Sequence, residues 1–356
     1  FNFVKNEGDT MMKRRMAFVL LLALAIVAGG CSKTSTTALP AAVDQHLAWI
    51  PQTVNGVAYL DVQSLRQSEL GQALQKDWSD EIMRRREDRD YKEWLERAGF
   101  DFEKDLHGVL IGFRGDRDDS ASTFAVVVTG NFDEQKIANA ITAMRDSLRE
   151  RHEEHKMSDF VTETYGGKTL YVIKKHGEKA FYFPDAHTLV AGNKDWVQAI
   201  IDGKTAGESV KQNKALTALM NKLPYADQCW LVANTAETME TLSEELGARG
   251  EFKGTRAVKS LQSALFSANV GKKAMLYGEA LCDSDDNSKL LSEAVKGALA
   301  TAKLAVSDDR EAVDMLNQID VEQAGKSVKF SANLDKAFFD KMREKAEGRR
   351  RAVAMQ

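Results

Sequence analysis

Two histidines have the spacing with which a helix holds a metal ion. His152 and His155 stand three residues apart, which places both imidazoles on one face of a helix. Zinc needs further ligands and an apolar surround, whereas the neighbours within Arg149–Lys156 are charged. This composition is typical of a solvated helix face, and we expect no metal at this pair.

An acidic run later in the chain imitates a calcium-binding loop. Asp283, Asp285 and Asn287 match its first three ligand positions, but Ser288 and Ala294 stand where the loop requires glycine and glutamate. A turn from a strand into a helix, with acidic residues in the first helical turn, explains the run better. We therefore expect neither a metal site nor a cofactor.

The sequence lacks the motifs that are typical of common catalytic sites. The chain has no glycine-rich phosphate loop and no Gly-x-Ser-x-Gly elbow. None of its histidines outside the 152/155 pair has a neighbouring serine or cysteine that looks like an activated nucleophile. We expect no catalytic residues and no enzymatic activity. An enzyme with a distributed site would instead bring together at least two members of one titratable set: Asp61, His107, His176, Asp185 and His187.

Cys31 stands at the end of a secretory signal. Lys13–Arg15 are basic, an apolar run from Met16 to Ala28 follows, and Gly29-Gly30 precede the cysteine. The apolar run has thirteen residues, whereas a helix needs about 20 to span a bilayer. A cleaved signal is therefore favoured over a permanent transmembrane anchor.

The cysteine after these small residues resembles the lipobox of bacterial lipoproteins. The resemblance implies that Cys31 is acylated and becomes the mature N-terminus, whereas a plain signal with an incidental cysteine is the alternative. Ala28 stands where leucine is commonest in the family, which bears on the efficiency of processing. Ser32 stands where the inner-membrane retention signal has aspartate, so the resemblance implies a lipid anchor in the outer membrane, facing the periplasm.

The flanking segments divide the chain further. Residues 1–10 precede Met11 and Met12 and are interpreted as a translated leader, followed by the signal peptide at 11–30. Residues 31–42 form a polar tether of serine, threonine and alanine. We predict a first lobe at 43–224, a second lobe at 225–347 and a basic tail at 348–356.

Composition limits the partners. The whole chain has a net charge of −4 and is 43% hydrophobic, so it can build ordinary cores and shows no basic excess for nucleic acid. Residues 1–30 hold four basic and two acidic side chains, so the remainder is more acidic still. We expect partners in the envelope, either a protein or a cell-wall polymer, and no nucleic acid.

The hydrophobic patterns predict an α+β fold. Val57–Val62 reads as a strand, Asp133 caps a helix with Ile137 and Ile141 on one side, and Gly166-Gly167 marks a hairpin. The order of elements repeats from Cys229 onward. We predict two repeated ferredoxin-like lobes of the split β-α-β type, each an antiparallel sheet with helices on one face.

Cys229 and Cys282 are the remaining cysteines. An even pair in an exported chain makes a disulfide possible, because the first and third strands of a split β-α-β unit, which hold the two cysteines, are neighbours. The pattern favours packing as small hydrophobes over this bridge.

The opening of the body, Ile50-Pro51 followed by Val57 to Leu65, resembles that of uncharacterised exported bacterial lipoproteins. The resemblance implies no activity. Tyr59, Trp230 and Tyr277 alternate away from the apolar positions and are candidates for a binding face, although packing between the lobes is the favoured interpretation. The favoured function is a non-catalytic binding or scaffold lipoprotein, and an envelope enzyme or a small-ligand carrier are the alternatives.

Overall fold

The computed structural model describes residues 39–74, 95–114, 123–150, 160–174, 178–224, 227–236, 259–341 and 344. The signal peptide, Cys31, most of the tether, the histidine pair 152/155, His176 and the basic tail lie outside these ranges. The described chain divides into two compact units, which meet in sequence between Asn234 and Thr235.

The first unit contains an antiparallel sheet and several helices. Its strands are β1 (Gly56–Asp61), β2 (Leu106–Arg114), β3 (Thr123–Gly130), β4 (Phe160–Tyr165), β5 (Lys168–Ile173), β6 (Lys179–Asp185), β7 (Thr188–Asn193) and β8 (Cys229–Asn234). Its helices are α1 (Ala41–Leu47), α2 (Val62–Gln67), α3 (Glu134–Glu150), α4 (Lys194–Ile201) and α5 (Lys214–Met220). Short 3₁₀ turns occupy Lys204–Gly207 and Val210–Gln212.

The strands of this unit lie in the order β8-β1-β2-β3-β7-β6-β5-β4. The predicted hairpin is present: Tyr165 pairs with Lys168, and Gly166 and Gly167 have φ values of 56° and 75°. Two successive positive φ angles are the requirement of a type I′ turn, which explains the paired glycines.

Helices cover both faces of this sheet. Gly112, Ala125 and Gly192 share one register row and one face, where a Cβ at Gly192 would lie 2.6 Å from Cε3 of Trp196 in α4. On the other face, Phe181 belongs to an aromatic core that includes Ile137 of α3. The prediction that helices cover one face only is therefore wrong for this unit.

The second unit has four described strands and a long helix. The strands β9 (Leu261–Val270), β10 (Ala274–Cys282), β11 (Ile319–Ala324) and β12 (Ser327–Leu334) lie in the order β11-β12-β10-β9. The helices are α6 (Asp285–Ala305) and α7 (Arg310–Asn317), and residues 336–341 are also helical. Leu291 of α6 packs on a core that includes Cys282, Val328 and Phe330.

The α+β class is confirmed, but the ferredoxin-like lobes are not. In the first unit the hairpin β2-β3 is followed by α3, and β7 then pairs antiparallel with β3. In the second unit β9-β10 is followed by α6, and β12 pairs antiparallel with β10. In a split β-α-β unit the third strand lies between the first and second strands, which run parallel. Here β2 lies between β1 and β3 and is antiparallel to both, so the shared element order has a different topology.

Strand β8 lies in the first unit because it pairs with β1 over Gly56–Leu60. The sequence-based boundary at residue 224 places this strand in the second lobe. No helix among the described residues is both long and apolar enough to cross a membrane.

Candidate functional site

Cys229 and Cys282 are free cysteines. Both edges of β10, which holds Cys282, are paired with β9 and β12, so the strand adjacency that the predicted disulfide relied on is not found. Burial raises the pKa of the Cys229 thiol to about 11, and burial also raises the pKa of the Cys282 thiol. Both side chains therefore behave as small hydrophobes rather than as reactive thiolates.

The three aromatics of the predicted binding face have different surroundings. Trp230 is 1% exposed and lies opposite Tyr59 in the β1-β8 pairing, with ring centroids 5.7 Å apart. Burial raises the pKa of Tyr59 to about 12. Burial and the nearby charge of Glu279 raise the pKa of Tyr277 to about 12 as well. Trp230 does not present its ring to solvent. It packs within the first unit, where it supports the sheet.

The four described members of the titratable set named for an enzyme lie at one end of the first sheet without forming an acid–base pair: Asp61, His107, Asp185 and His187. The carboxylates of Asp61 and Asp185 lie at the two ends of one register row, which runs across the sheet through Gly108, Thr129 and Thr188. Four strand spacings separate them, which is about 19 Å at the usual distance between strands. Their separation exceeds the reach of any hydrogen bond, so they cannot act together on one bond of a substrate.

The two histidines at this sheet end make structural hydrogen bonds. The ring Nδ1 of His187 donates to the carbonyl of Gly130 at 3.2 Å, and its backbone N–H donates to Asp185 Oδ1 at 2.7 Å. Asn131 Nδ2 lies 3.5 Å from His107 Nε2. The imidazoles thus tie the ends of β2, β3 and β7 together.

His46 lies beside a small internal cavity. It is 9% exposed, and with Tyr59 and Thr129 it lines a space of about 40 Å³. Burial lowers the pKa of His46, and the charge of Asp185 opposes that effect. The cavity has room for one or two water molecules between a neutral imidazole and two hydroxyls, and is too small for a metabolite.

A larger space lies between α3 and the hairpin β4-β5. This groove has a volume of about 650 Å³, which falls within the usual range of ligand sites. One wall is a stripe of α3 in which Gln135, Asn139 and Thr142 follow each other at spacings of four and three residues. Residues at these spacings share a helix face, and all three side chains are exposed.

The floor of the groove comes from the hairpin. Phe160 and Thr162 of β4, and Thr169 and Tyr171 of β5, line it. Thr162 pairs directly with Tyr171. Phe160 lies two residues before Thr162 on β4, and Thr169 lies two residues before Tyr171 on β5. Because side chains alternate along a strand, all four share one face of the sheet. The floor therefore combines aromatic carbon with two exposed threonine hydroxyls.

Glu134 is the charged residue of the groove lining. Its Oε1 accepts a hydrogen bond from Tyr171 Oη at 3.5 Å, and burial together with Glu134 raises the pKa of Tyr171. No lysine or arginine occurs among the described residues that line the groove. Among the described lining residues the charge is therefore the single carboxylate of Glu134.

The sequence alone did not predict this groove. Gln135, Asn139 and Thr142 look like the solvated side of an amphipathic helix, since their neighbours Ile137 and Ile141 mark the apolar side. The signal that could have found them is the run of uncharged hydrogen-bonding residues at helical spacing, where a solvated face commonly carries lysine and glutamate.

The described residues contain no group of three or more potential metal ligands. The calcium-like run begins helix α6 instead: Ser284 is the N-cap and accepts from the Asn287 backbone N–H, and Asp285 and Asp286 occupy the first turn. This placement agrees with the predicted turn from a strand into a helix.

No family model matches the chain, and no curated protein matches it. Among solved structures, crystal form I of TP0453 is similar, with 10% identity and a TM-score of 0.38 over 85% of this chain and 95% of that chain. A likeness of this degree establishes neither the class of the protein nor its function.

Proposed function

We propose that this protein is a lipoprotein of the bacterial envelope that binds a ligand non-covalently in the groove between α3 and the hairpin β4-β5. The observation that carries the proposal is the groove itself, which has a volume of about 650 Å³ and an aromatic floor. Its described lining consists mostly of uncharged hydrogen-bonding side chains, with one carboxylate at Glu134. Such a lining orients a ligand through hydrogen bonds. The carboxylate that it includes, Glu134, accepts a hydrogen bond from Tyr171 Oη at 3.5 Å.

The placement of the titratable groups supports binding over catalysis. The His187 ring bonds to a backbone carbonyl, and Asp61 and Asp185 lie on strands four positions apart. An enzyme needs such groups within hydrogen-bond reach of one another or of one substrate atom.

The small-ligand carrier is less well supported. A carrier of that kind encloses its ligand in an apolar cavity of roughly 300–1,000 Å³. The small cavity beside His46 measures about 40 Å³. The larger groove is lined largely by exposed polar residues, which suits a ligand that stays partly in solvent.

The proposed location rests on the segment that ends at Cys31. In this proposal a thioether-linked lipid holds Cys31 in the outer membrane, and the polar tether carries the body into the periplasm. The groove can then reach an envelope protein or a cell-wall polymer, whereas the acidic lining disfavours nucleic acid.

Metabolic labelling with a palmitate analogue tests the anchor. The full chain is expected to incorporate the label and to fractionate with the outer membrane. The variant Cys31→Ser is expected to lose both properties. Unchanged labelling of Cys31→Ser, or fractionation with the inner membrane, would contradict the proposed anchor.

Site-directed photo-crosslinking tests the groove. A photoreactive phenylalanine analogue at Asn139 is expected to give an envelope adduct, whereas the same analogue at Gln72, an exposed helical residue outside the groove lining, is not. Equal adducts from both positions, or none from either, would count against a binding role for the groove.

A further inference from the structure

The chemistry of the groove lining identifies the class of ligand. We propose that the groove between α3 and the hairpin β4-β5 binds a neutral oligosaccharide that carries N-acetyl groups; this inference rests on the binding function proposed above. Gln135, Asn139 and Thr142 line its helical wall, and Phe160 lies on its floor.

The helical wall can pair with amide and hydroxyl groups at the same time. Gln135 Nε2 donates to Asn139 Oδ1 at 3.1 Å, which uses one donor of the first amide and one acceptor of the second. The Gln135 carbonyl and the Asn139 amide N–H groups remain available to a ligand as an acceptor and a donor. An acetamido group presents the complementary donor and acceptor in one plane.

Threonine hydroxyls supply the contacts that sugar hydroxyls need. Thr142 Oγ1 donates to the Ala138 carbonyl at 3.0 Å, so its oxygen serves a ligand as an acceptor. Thr162 and Thr169 are exposed on the opposite side of the groove. A hydroxyl-rich ligand can therefore be held from both sides.

Phe160 gives the floor a surface for the apolar face of a sugar ring. It is half-buried, and its ring lies 6.4 Å from that of Tyr171 in a stacked arrangement. C–H groups of a pyranose carry partial positive charge and are attracted to the negative face of an aromatic ring. Partial burial fixes the ring without removing it from the groove.

The described charge of the groove disfavours acidic ligands. Glu134 lines it, and no cation does among its described lining residues, so a phosphate or a carboxylate would meet repulsion without a partner. The wall from Gln135 to Thr142 is about 10 Å long at 1.5 Å per residue, which suits a short length of glycan.

Calorimetric titration of the full chain with chitotetraose tests this inference. The wild-type protein is expected to bind, and Asn139→Ala to bind about tenfold more weakly, because a net hydrogen bond or two is lost. The matched control Gln72→Ala removes an exposed helical amide elsewhere in the first unit and should bind as the wild type does. Tetragalacturonate, which is acidic, should bind at least tenfold more weakly than chitotetraose.

Two results would overturn the inference. Absence of binding at millimolar chitotetraose by the folded wild type is one, and equal affinity of Asn139→Ala and the wild type is the other. Circular dichroism of each variant confirms that it is folded. A protein adduct from position 139, with no affinity for chitotetraose, would reject the glycan while the proposed binding function stands.

Discussion

The indole of Trp196 donates a hydrogen bond of 2.8 Å from Nε1 to the backbone carbonyl of Trp49. Trp196 lies on α4, and Trp49 follows α1, so the bond joins segments 147 residues apart. Trp196 is 7% exposed, which shields the bond from water. A buried bond of this kind connects the start of the first unit to the helix that follows its last hairpin.

Trp196→Phe is expected to destabilise the first unit by about 1–3 kcal/mol. The phenyl ring leaves the Trp49 carbonyl without its donor and leaves part of the indole volume unfilled. Urea unfolding followed by tryptophan fluorescence measures the change. The control Tyr165→Phe removes an exposed hydrogen bond to Asp202 and should cost less than about 0.5 kcal/mol. An equal loss of unfolding free energy in the two variants would show that the indole hydrogen bond stabilises the protein no more than the exposed bond does.

Gly192→Ala tests the close packing under the same indole. A Cβ at Gly192 would lie 2.5 Å from the Phe124 carbonyl oxygen and 2.6 Å from Trp196 Cε3. Since a backbone carbonyl in a paired strand cannot move away cheaply, the variant is expected to lose about 1–3 kcal/mol of unfolding free energy.

Gly271→Ala is the matched control for this substitution. A Cβ there meets nothing within 4 Å, and its φ is not in the left-handed region. The control should change the unfolding free energy by less than about 0.5 kcal/mol. A neutral Gly192→Ala would mean that the sheet and α4 are more loosely packed than described.

The sequence predicts the elements that depend on local signals, and it does not predict how distant strands pair. Helix α3 is predictable from Ile137 and Ile141 at helical spacing, and the hairpin from Gly166-Gly167, because both signals are local. The pairing of β3 with β7 is not local: sixty-odd residues intervene, and a split β-α-β order reads the same along the chain. Pattern therefore predicts the α+β class and leaves the topology undecided.

The groove depends on that same non-local information. Gln135 and Asn139 become a wall only because Thr162 and Tyr171, on the hairpin that follows α3, fold back to lie opposite them. Trp230 shows the converse, since its alternation with apolar residues suggested a surface and its partner Tyr59 buries it. Sequence alone places a residue on a face and does not say what covers the face.

Gly297→Ala is expected to stabilise the second unit. Gly297 lies within the long helix α6, is exposed, and a Cβ there would meet nothing within 4 Å. Alanine restricts the unfolded chain and favours the helix, which gives a gain of about 0.5–1 kcal/mol. The reverse change at the next position, Ala298→Gly, should lose a similar amount. Thermal unfolding followed by circular dichroism measures both, and a loss in Gly297→Ala would contradict the open surroundings of this position.

Lys194 joins two carboxylates of the first unit and should give its stability a pH dependence. Its Nζ lies 2.8 Å from Glu163 Oε2 and 2.9 Å from Glu178 Oε2. The hydrogen bond from Lys194 lowers the pKa of Glu163, and the bonds to the two glutamates raise the pKa of Lys194. The stabilisation from Glu163 is therefore present above its unfolded pKa and is lost as the pH falls through the lower folded value.

Lys194→Met is expected to lower the urea midpoint at pH 7 and to differ less from the wild type at pH 3, because Glu163 gains its proton as the pH falls through its lowered folded pKa. At high pH the wild type loses the contribution of Lys194 as the pH rises through its raised folded pKa. The control Lys174→Met removes an exposed lysine 3.8 Å from the same carboxylate and should have a smaller effect at pH 7. Because the longer contact is screened by solvent, added salt should reduce the Lys174 effect more than the Lys194 effect. A difference between Lys194→Met and the wild type that stays constant from pH 7 to pH 3 would mean that the ion pair with Glu163 does not stabilise the hairpin.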